Sequence, residues 1–207
     1  MKKIGIVDYG SGNIFSVMQA IKKNGVDCIV VNTKEQVNKC DAIILPGVGS
    51  FKNAMDSLQE KDLITELLDY AATGKPILGI CLGMQLLFES SNEFGFYEGL
   101  RLIKGKVVKF TDLKEGSTIP QIQWNKVQTD GKKSVLFKGV NTNPFMYFVH
   151  SYYVKPSQPN INFFNTSYGG IDYCCAVEFN NIYGVQFHPE RSSLDGLLLL
   201  KNFINLV

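Results

Sequence analysis

Pro76-Ile77-Leu78-Gly79-Ile80-Cys81-Leu82-Gly83-Met84-Gln85 is the stretch on which the fold turns. The apolar run Ile77 to Ile80 predicts a buried strand, and Met84-Gln85-Leu86-Leu87-Phe88 predicts a helix. Cys81 stands between them, with glycine two residues before it and two after. A strand, a sharp turn and a helix with a nucleophile at the apex form a nucleophile elbow. Side chains at Gly79 and Gly83 would collide where strand and helix pack closely. A helix N-terminus beside Cys81 favours thiolate over thiol, and the N–H of Leu82 points where an oxyanion can form. The plainer reading is a buried structural cysteine. The two glycines at this spacing after a strand outweigh it.

Working outward, the first half alternates strand and helix. Lys3–Val7, Cys28–Val31 and Ala42–Leu45 read as strands, and Ile14–Lys23, Lys52–Leu58 and Leu63–Ala72 as helices. Such alternation predicts a parallel sheet with helices on its faces. The site in open sheets of this kind lies beyond the carboxyl ends of the strands. The turns at Asp8, Pro46 and Cys81 should therefore gather at one edge. After Gly95 the rhythm changes to strands at Leu102–Phe110, Gln121–Gln128, Met146–Val149, Asn162–Asn165, Tyr173–Phe179 and Ile182–Phe187. Asn180-Asn181 fits a two-residue hairpin. A last helix begins at Ser193 or Asp195 and runs through Phe203. The expected class is α/β: one domain over 1–207, with a central mixed, mostly parallel sheet flanked by helices and an antiparallel portion in the second half.

Twenty-one basic and 19 acidic residues give a net charge of +2, too balanced to argue for nucleic acid or an anionic membrane. No apolar run reaches roughly 18 residues, and Asp8 interrupts the first one too early for a signal peptide. Five cysteines, an odd number at irregular spacing, point to a reducing cytoplasm. Cys28, Cys40, Cys174 and Cys175 read as structural, and no metal-ligand spacing is present. Gly10-Ser11-Gly12 lacks the third glycine of a dinucleotide loop, since Phe15 stands there, so no cofactor is expected.

A cysteine nucleophile needs a base, and the base needs an orienting group. The histidines are His150 and His188. His188 follows an apolar strand, precedes Pro189 and has Glu190 two residues on, a carboxylate able to hold its second ring nitrogen. His150 has no carboxylate nearby in sequence and reads as a satisfied structural histidine. Pro46-Gly47-Val48-Gly49 follows another strand end. It is a simple strand-to-helix turn or a second source of oxyanion N–H groups.

Together, Pro46-Gly47-Val48-Gly49, Gly79-Ile80-Cys81-Leu82-Gly83-Met84-Gln85 and His188-Pro189-Glu190 resemble the class I, triad-type glutamine amidotransferases. A finer resemblance is to the glutaminase subunits of imidazole glycerol phosphate synthases. It rests on Asp8-Tyr9-Gly10-Ser11-Gly12-Asn13, Leu45–Phe51 with Ala54-Met55, Trp124-Asn125 and Phe148-Val149-His150-Ser151-Tyr152, and it runs over nearly the whole chain. The resemblance implies that Cys81 attacks the side-chain amide of L-glutamine, that His188 protonates the leaving ammonia and that Glu190 orients His188. It implies oxyanion donors at Leu82 and at Val48 or Gly49, in a loop that needs a peptide flip. By the same carry-over Gly47, Gly49, Gln85, Glu93, Ser151 and Tyr152 bind glutamine. The implied partner is a (βα)8-barrel cyclase/synthase subunit in a heterodimer, which uses the ammonia in histidine biosynthesis. The partner face then includes Asn13, Gln123, Trp124, Asn125, Tyr147 and Arg191. Ile122-Gln123 and Arg191 depart from the Met-Gly and lysine usual there, and both departures fall on that face. A synthase that amidates surface sugars, a cysteine peptidase on a similar elbow and a non-catalytic interaction module are the alternatives.

Overall fold

The computed structural model describes residues 2–129 and 131–207. Its first half runs β1 (Ile4–Val7), α1 (Ile14–Lys23), β2 (Cys28–Val31), α2 (Lys34–Asn38), β3 (Ala42–Gly47), α3 (Phe51–Glu60), α4 (Leu63–Ala72), β4 (Ile77–Cys81) and α5 (Leu82–Leu86). The second half runs β5 (Phe88–Ser91), β6 (Tyr97–Glu98), β7 (Ile103–Lys109), β8 (Gln121–Lys126), β9 (Phe145–His150), β10 (Tyr152–Pro156), β11 (Asn162–Tyr168), β12 (Ile171–Phe179) and β13 (Ile182–Val185). A 3-10 turn at Pro189–Arg191 leads into α6 (Ser193–Ile204).

The centre of the main sheet is β2-β1-β3-β4-β13, all parallel. From β13 outward the order is β12-β10-β7-β5-β6, mostly antiparallel, with β11 beside β12. β8 and β9 form a separate antiparallel ribbon. Strands β1, β3, β4 and β13 are buried at every position, as strands covered on both faces must be. Alternate residues feed two cores. Ile4, Ile6, Ile44, Leu78 and Ile80 join α1 and α6 on one face, while Val7, Ile43, Leu45 and Ile77 join α3, α4 and α5 on the other. No described helix is long and apolar enough to cross a membrane.

Register brings the chemistry together. Gly47, the last residue of β3, lies opposite Cys81, the last of β4, and Val185 at the end of β13 lies opposite Ile80. The three chain segments that leave these ends share one edge of the sheet. The turn after β1 joins them, because Tyr9 Oη donates to Pro46 O at 2.9 Å and the Ser11 hydroxyl donates to Val48 O.

Several elements differ from the sequence expectation. The helix after Cys81 covers Leu82–Leu86, and Phe88, fully buried, instead opens β5 against Ile103. The short apolar run Leu86-Leu87-Phe88 carries no polar position to separate helix from buried strand. β13 stops at Val185, two residues before the expected Phe187. Helix α2 and strands β5, β6 and β10 stand where no element was expected. α2 is held by a capping box, in which Thr33 and Gln36 exchange side-chain-to-backbone bonds.

Candidate active site

Cys81 sits at the apex of the elbow with φ 55° and ψ −110°, a conformation that costs a non-glycine residue on the order of 1–3 kcal/mol. The surrounding packing enforces it. A Cβ on Gly79 would fall 2.6 Å from Gly83 O, and one on Gly83 would fall 1.8 Å from Leu45 O. Strand and helix therefore meet backbone to backbone beneath the thiol.

His188 is buried, three residues past the end of β13 and directly after the buried side chains of Gln186 and Phe187. Its backbone N–H donates to Tyr147 O at 2.9 Å, and Ser192 Oγ donates to its carbonyl at 2.6 Å. Its Nδ1 lies 2.8 Å from Glu190 Oε1, both side chains being almost fully enclosed. Burial pulls the imidazolium down, but the Cys81 and Glu190 interactions together outweigh it and raise His188 to about 10. Nε2 has no hydrogen bond of ordinary geometry and is left for Cys81. Catalytic hydrogen bonds are often loose before substrate arrives.

A cavity of about 270 Å³ opens over the thiol, lined by Val48, Gly49, Cys81, Leu82, Gln85, Glu93, Pro120, Val149, His150, Ser151, Tyr152 and His188. It is smaller than the roughly 300–1,000 Å³ of sites for drug-sized ligands, so it suits a small substrate. Of the residues expected at the substrate, Gly49, Gln85, Glu93, Ser151 and Tyr152 line it and Gly47 does not. Gly47 instead packs beneath, where a Cβ would fall 2.5 Å from Tyr9 Oη. Among the described residues Glu93 is the one carboxylate on the wall, and burial raises its pKa. Its Oε2 also accepts the N–H of Phe51 at the start of α3, where Ser50 provides no side-chain cap.

Gln85 Nε2 donates to Tyr152 O at 2.9 Å and to Gln186 Oε1 at 3.0 Å. Both amide protons are thus used inside the protein, and Oε1 is what the side chain has left to offer a ligand. Gln186 was not singled out by the sequence reading. The signal was there: a glutamine between Val185 and Phe187 is a polar side chain inside a core run.

His150 is buried and neutral, pulled down to about 4, chiefly by desolvation with a smaller push from His188. Its Nδ1 lies 2.9 Å from Tyr152 O and its Nε2 3.0 Å from Tyr173 Oη. Facing a carbonyl, Nδ1 must carry the proton, so Nε2 accepts from Tyr173. Tyr173 Oη also lies 2.8 Å from the side-chain amide of Gln121. This gives a stability prediction. A base depressed from 6.5 to about 4 lets the unfolded chain take the proton first, so stability falls as pH drops from about 6.5 to 4. The loss is about 3 kcal/mol at 1.36 kcal/mol per unit. Urea unfolding of wild type and His150→Gln should differ in slope across that window and run parallel above pH 7.

The partner-face candidates fall into two groups. Trp124 and Tyr147 stand opposite each other across the β8–β9 ribbon with ring centroids 6.1 Å apart, and the Arg191 guanidinium lies 5.7 Å from the Tyr147 ring. Gln123 is exposed beside them, and Asn125 donates to Ser167 O at 2.8 Å. Asn13 caps α1, accepting from Ser16 N at 3.3 Å. Ile122, which the resemblance put on that face, is exposed; Phe145 and Leu194 are exposed too and were not expected there, although single exposed apolar residues are ordinary.

A cysteine on an elbow, a carboxylate-held histidine and a small cavity beside them are the parts of a thiol-dependent amide hydrolase. The family model for glutamine amidotransferase class-I matches residues 5–206, and the chain belongs to that family. Within it, the chain is 46% identical over 202 residues to the imidazole glycerol phosphate synthase subunit HisH of Sulfurimonas denitrificans, covering 97% of this chain and 96% of that one. It is 43% identical over 207 residues to the subunit of the same name from Trichormus variabilis, covering 100% and 97%. The solved structure of PurLQS from Thermotoga maritima has the same fold, with a TM-score of 0.75 at 20% identity over 99% of this chain and 98% of that one.

Proposed function

We propose that this protein is the glutaminase subunit of an imidazole glycerol phosphate synthase. It hydrolyses L-glutamine to glutamate and ammonia and delivers the ammonia to a (βα)8-barrel synthase subunit. The observation that carries the reading is the His188 Nδ1 to Glu190 Oε1 bond of 2.8 Å beside the strained Cys81, in one cavity with Gln85 and Glu93.

Cys81 attacks the side-chain amide carbon, forming a C–S bond as the carbonyl pair moves onto oxygen. The N–H of Leu82 and an N–H of Val48 or Gly49 receive that oxyanion. Because Nδ1 of His188 is engaged by Glu190, the proton that reaches the leaving nitrogen comes from Nε2. The C–N bond breaks and ammonia departs. Water then attacks the thioester, His188 takes its proton, and glutamate leaves the regenerated thiolate. Glu93, the acid on the cavity wall, suits the α-ammonium group, while Gln85 Oε1, Ser151 and Tyr152 hold the rest of the substrate.

The loop after β3 is the adjustable part. Val48 is half exposed, Gly49 has φ 95°, and Ser11 holds the Val48 carbonyl. One oxyanion donor is worth about 2.7–4 kcal/mol, roughly 10²–10³ in rate, so a partner that sets this loop controls turnover. The test is co-purification with a (βα)8-barrel synthase, followed by turnover of amide-nitrogen-labelled glutamine with and without it. Glutamate release should rise on the order of 10²-fold in the complex, and the label should enter imidazole glycerol phosphate. Label in a different amidated product would replace this reading with another synthase.

A further inference from the structure

Gln186 is completely buried, lies two residues before His188 and touches the reacting sulfur. Its Nε2 lies 3.7 Å from Cys81 Sγ, and its Oε1 accepts from Gln85 Nε2 at 3.0 Å. The amide can point only this way. Tyr152 O is a pure acceptor 2.9 Å from the Gln85 amide, so the Gln85 nitrogen must face it. That same nitrogen then meets Gln186, which must turn its oxygen to Gln85 and its NH2 to the sulfur. A backbone carbonyl thus sets the direction of two side-chain amides in series, and an N–H donor is aimed at Cys81.

The other neighbours of the sulfur make this donor matter. The Val149 carbonyl lies 3.8 Å from Sγ and accepts the thiol proton, which favours S–H. His188 faces the sulfur as the proton carrier, with Glu190 behind it. Tyr9 and Tyr173, both kept neutral by burial, are the other titratable groups that sense Cys81. His188 gives up its proton during the reaction. When it does, Gln186 is the side-chain donor that stays, because an amide cannot lose its hydrogens at working pH.

We propose that Gln186 is a fixed hydrogen-bond donor to Cys81 that stabilises the thiolate over the thiol, with Gln85 as the residue that orients it. A donor to a charged form lowers the pKa of an acid. The role places Gln186 beside His188 and Glu190 in the glutaminase reaction and gives Gln85 a second duty beyond lining the cavity. The inference rests on Cys81 being the nucleophile.

The test uses the full chain with Gln186→Met and Gln186→Leu, two apolar replacements without a donor, each first checked for cooperative thermal unfolding. The rate of Cys81 alkylation by iodoacetamide is followed against pH, resolved at Cys81 by peptide mass spectrometry. The other four thiols are pushed up by burial and react slowly. In both variants the alkylation midpoint should rise by about one pH unit. In the complex with the synthase, kcat for glutamine should fall about tenfold near neutral pH, with KM changed by less than about threefold, and part of the loss should return at higher pH. A midpoint that stays at the wild-type value in a folded variant overturns the proposal. So does a fall in kcat that is the same at every pH, which would mark a structural role only. Failure of the glutaminase reading would show separately, as a Cys81→Ala chain that still hydrolyses glutamine.

Discussion

Cys81→Ala should reduce glutamine hydrolysis by on the order of 10⁴–10⁶-fold, the range found when a covalent nucleophile is removed. Alanine has the same difficulty as cysteine at φ 55°, so the backbone of the elbow changes little and the cavity still forms. Substrate binding by Gln85, Glu93, Ser151 and Tyr152 should persist, which makes the loss one of kcat. In the complex with the synthase, product formation from added ammonium salt should continue at close to the wild-type rate, because that route bypasses the thioester. The pair of assays separates a lost nucleophile from a lost interface. Glutamate release at more than a hundredth of the wild-type rate would rule out the thioester route.

Gly83→Ala is the substitution with the largest expected effect on stability. The added Cβ would lie 1.8 Å from Leu45 O and 2.8 Å from Leu45 C, both main-chain atoms of a fully buried strand. Neither can rotate away, and moving α5 outward would open the close approach at Gly79, where a Cβ would fall 2.6 Å from Gly83 O. A loss of at least about 4 kcal/mol is expected, in the range reserved for a few severe mechanisms. Domains of this kind carry only about 5–15 kcal/mol in total. Gly74→Ala is the control: unlike Gly83 it lies at positive φ, 80°, but its Cβ would meet nothing within 4 Å. It should cost about 1–2 kcal/mol, the penalty of a left-handed backbone alone. Urea unfolding midpoints that place the two variants together would show that the elbow is not packed as tightly as described.

These two residues were also the most legible part of the sequence. Glycine before and after Cys81 announced a close strand-to-helix contact, and the structure supplies the atoms that would clash. The parallel frame was legible because β1, β3 and β4 are short, wholly apolar and separated by amphipathic helices. The pairing of His188 with Glu190 was legible because the two residues are local. What escaped depends on distant partners. The stretch from Phe145 to Pro156 is mostly apolar, interrupted at His150-Ser151 and at Lys155, yet β9 pairs with β8 and β10 joins β7 and β12. Nothing local marks the change of sheet. Glu93 capping α3 from another element, and Gln85 meeting Gln186 across 101 positions, are likewise contacts that only the fold creates. α2 is the opposite case: its capping residues Thr33 and Gln36 were visible, but five residues with Val37 as the one buried side chain leave no periodic stripe to read.

The positive φ at Cys81 has a consequence for how the protein can change. Glycine adopts that backbone without penalty, so Cys81→Gly relieves strain while it removes the thiol that the proposed reaction needs. Heat tolerance and growth without added histidine therefore pull this position in opposite directions. A library sorted only for thermal resistance would enrich an inert chain, and any programme to stabilise the protein must score turnover at the same time.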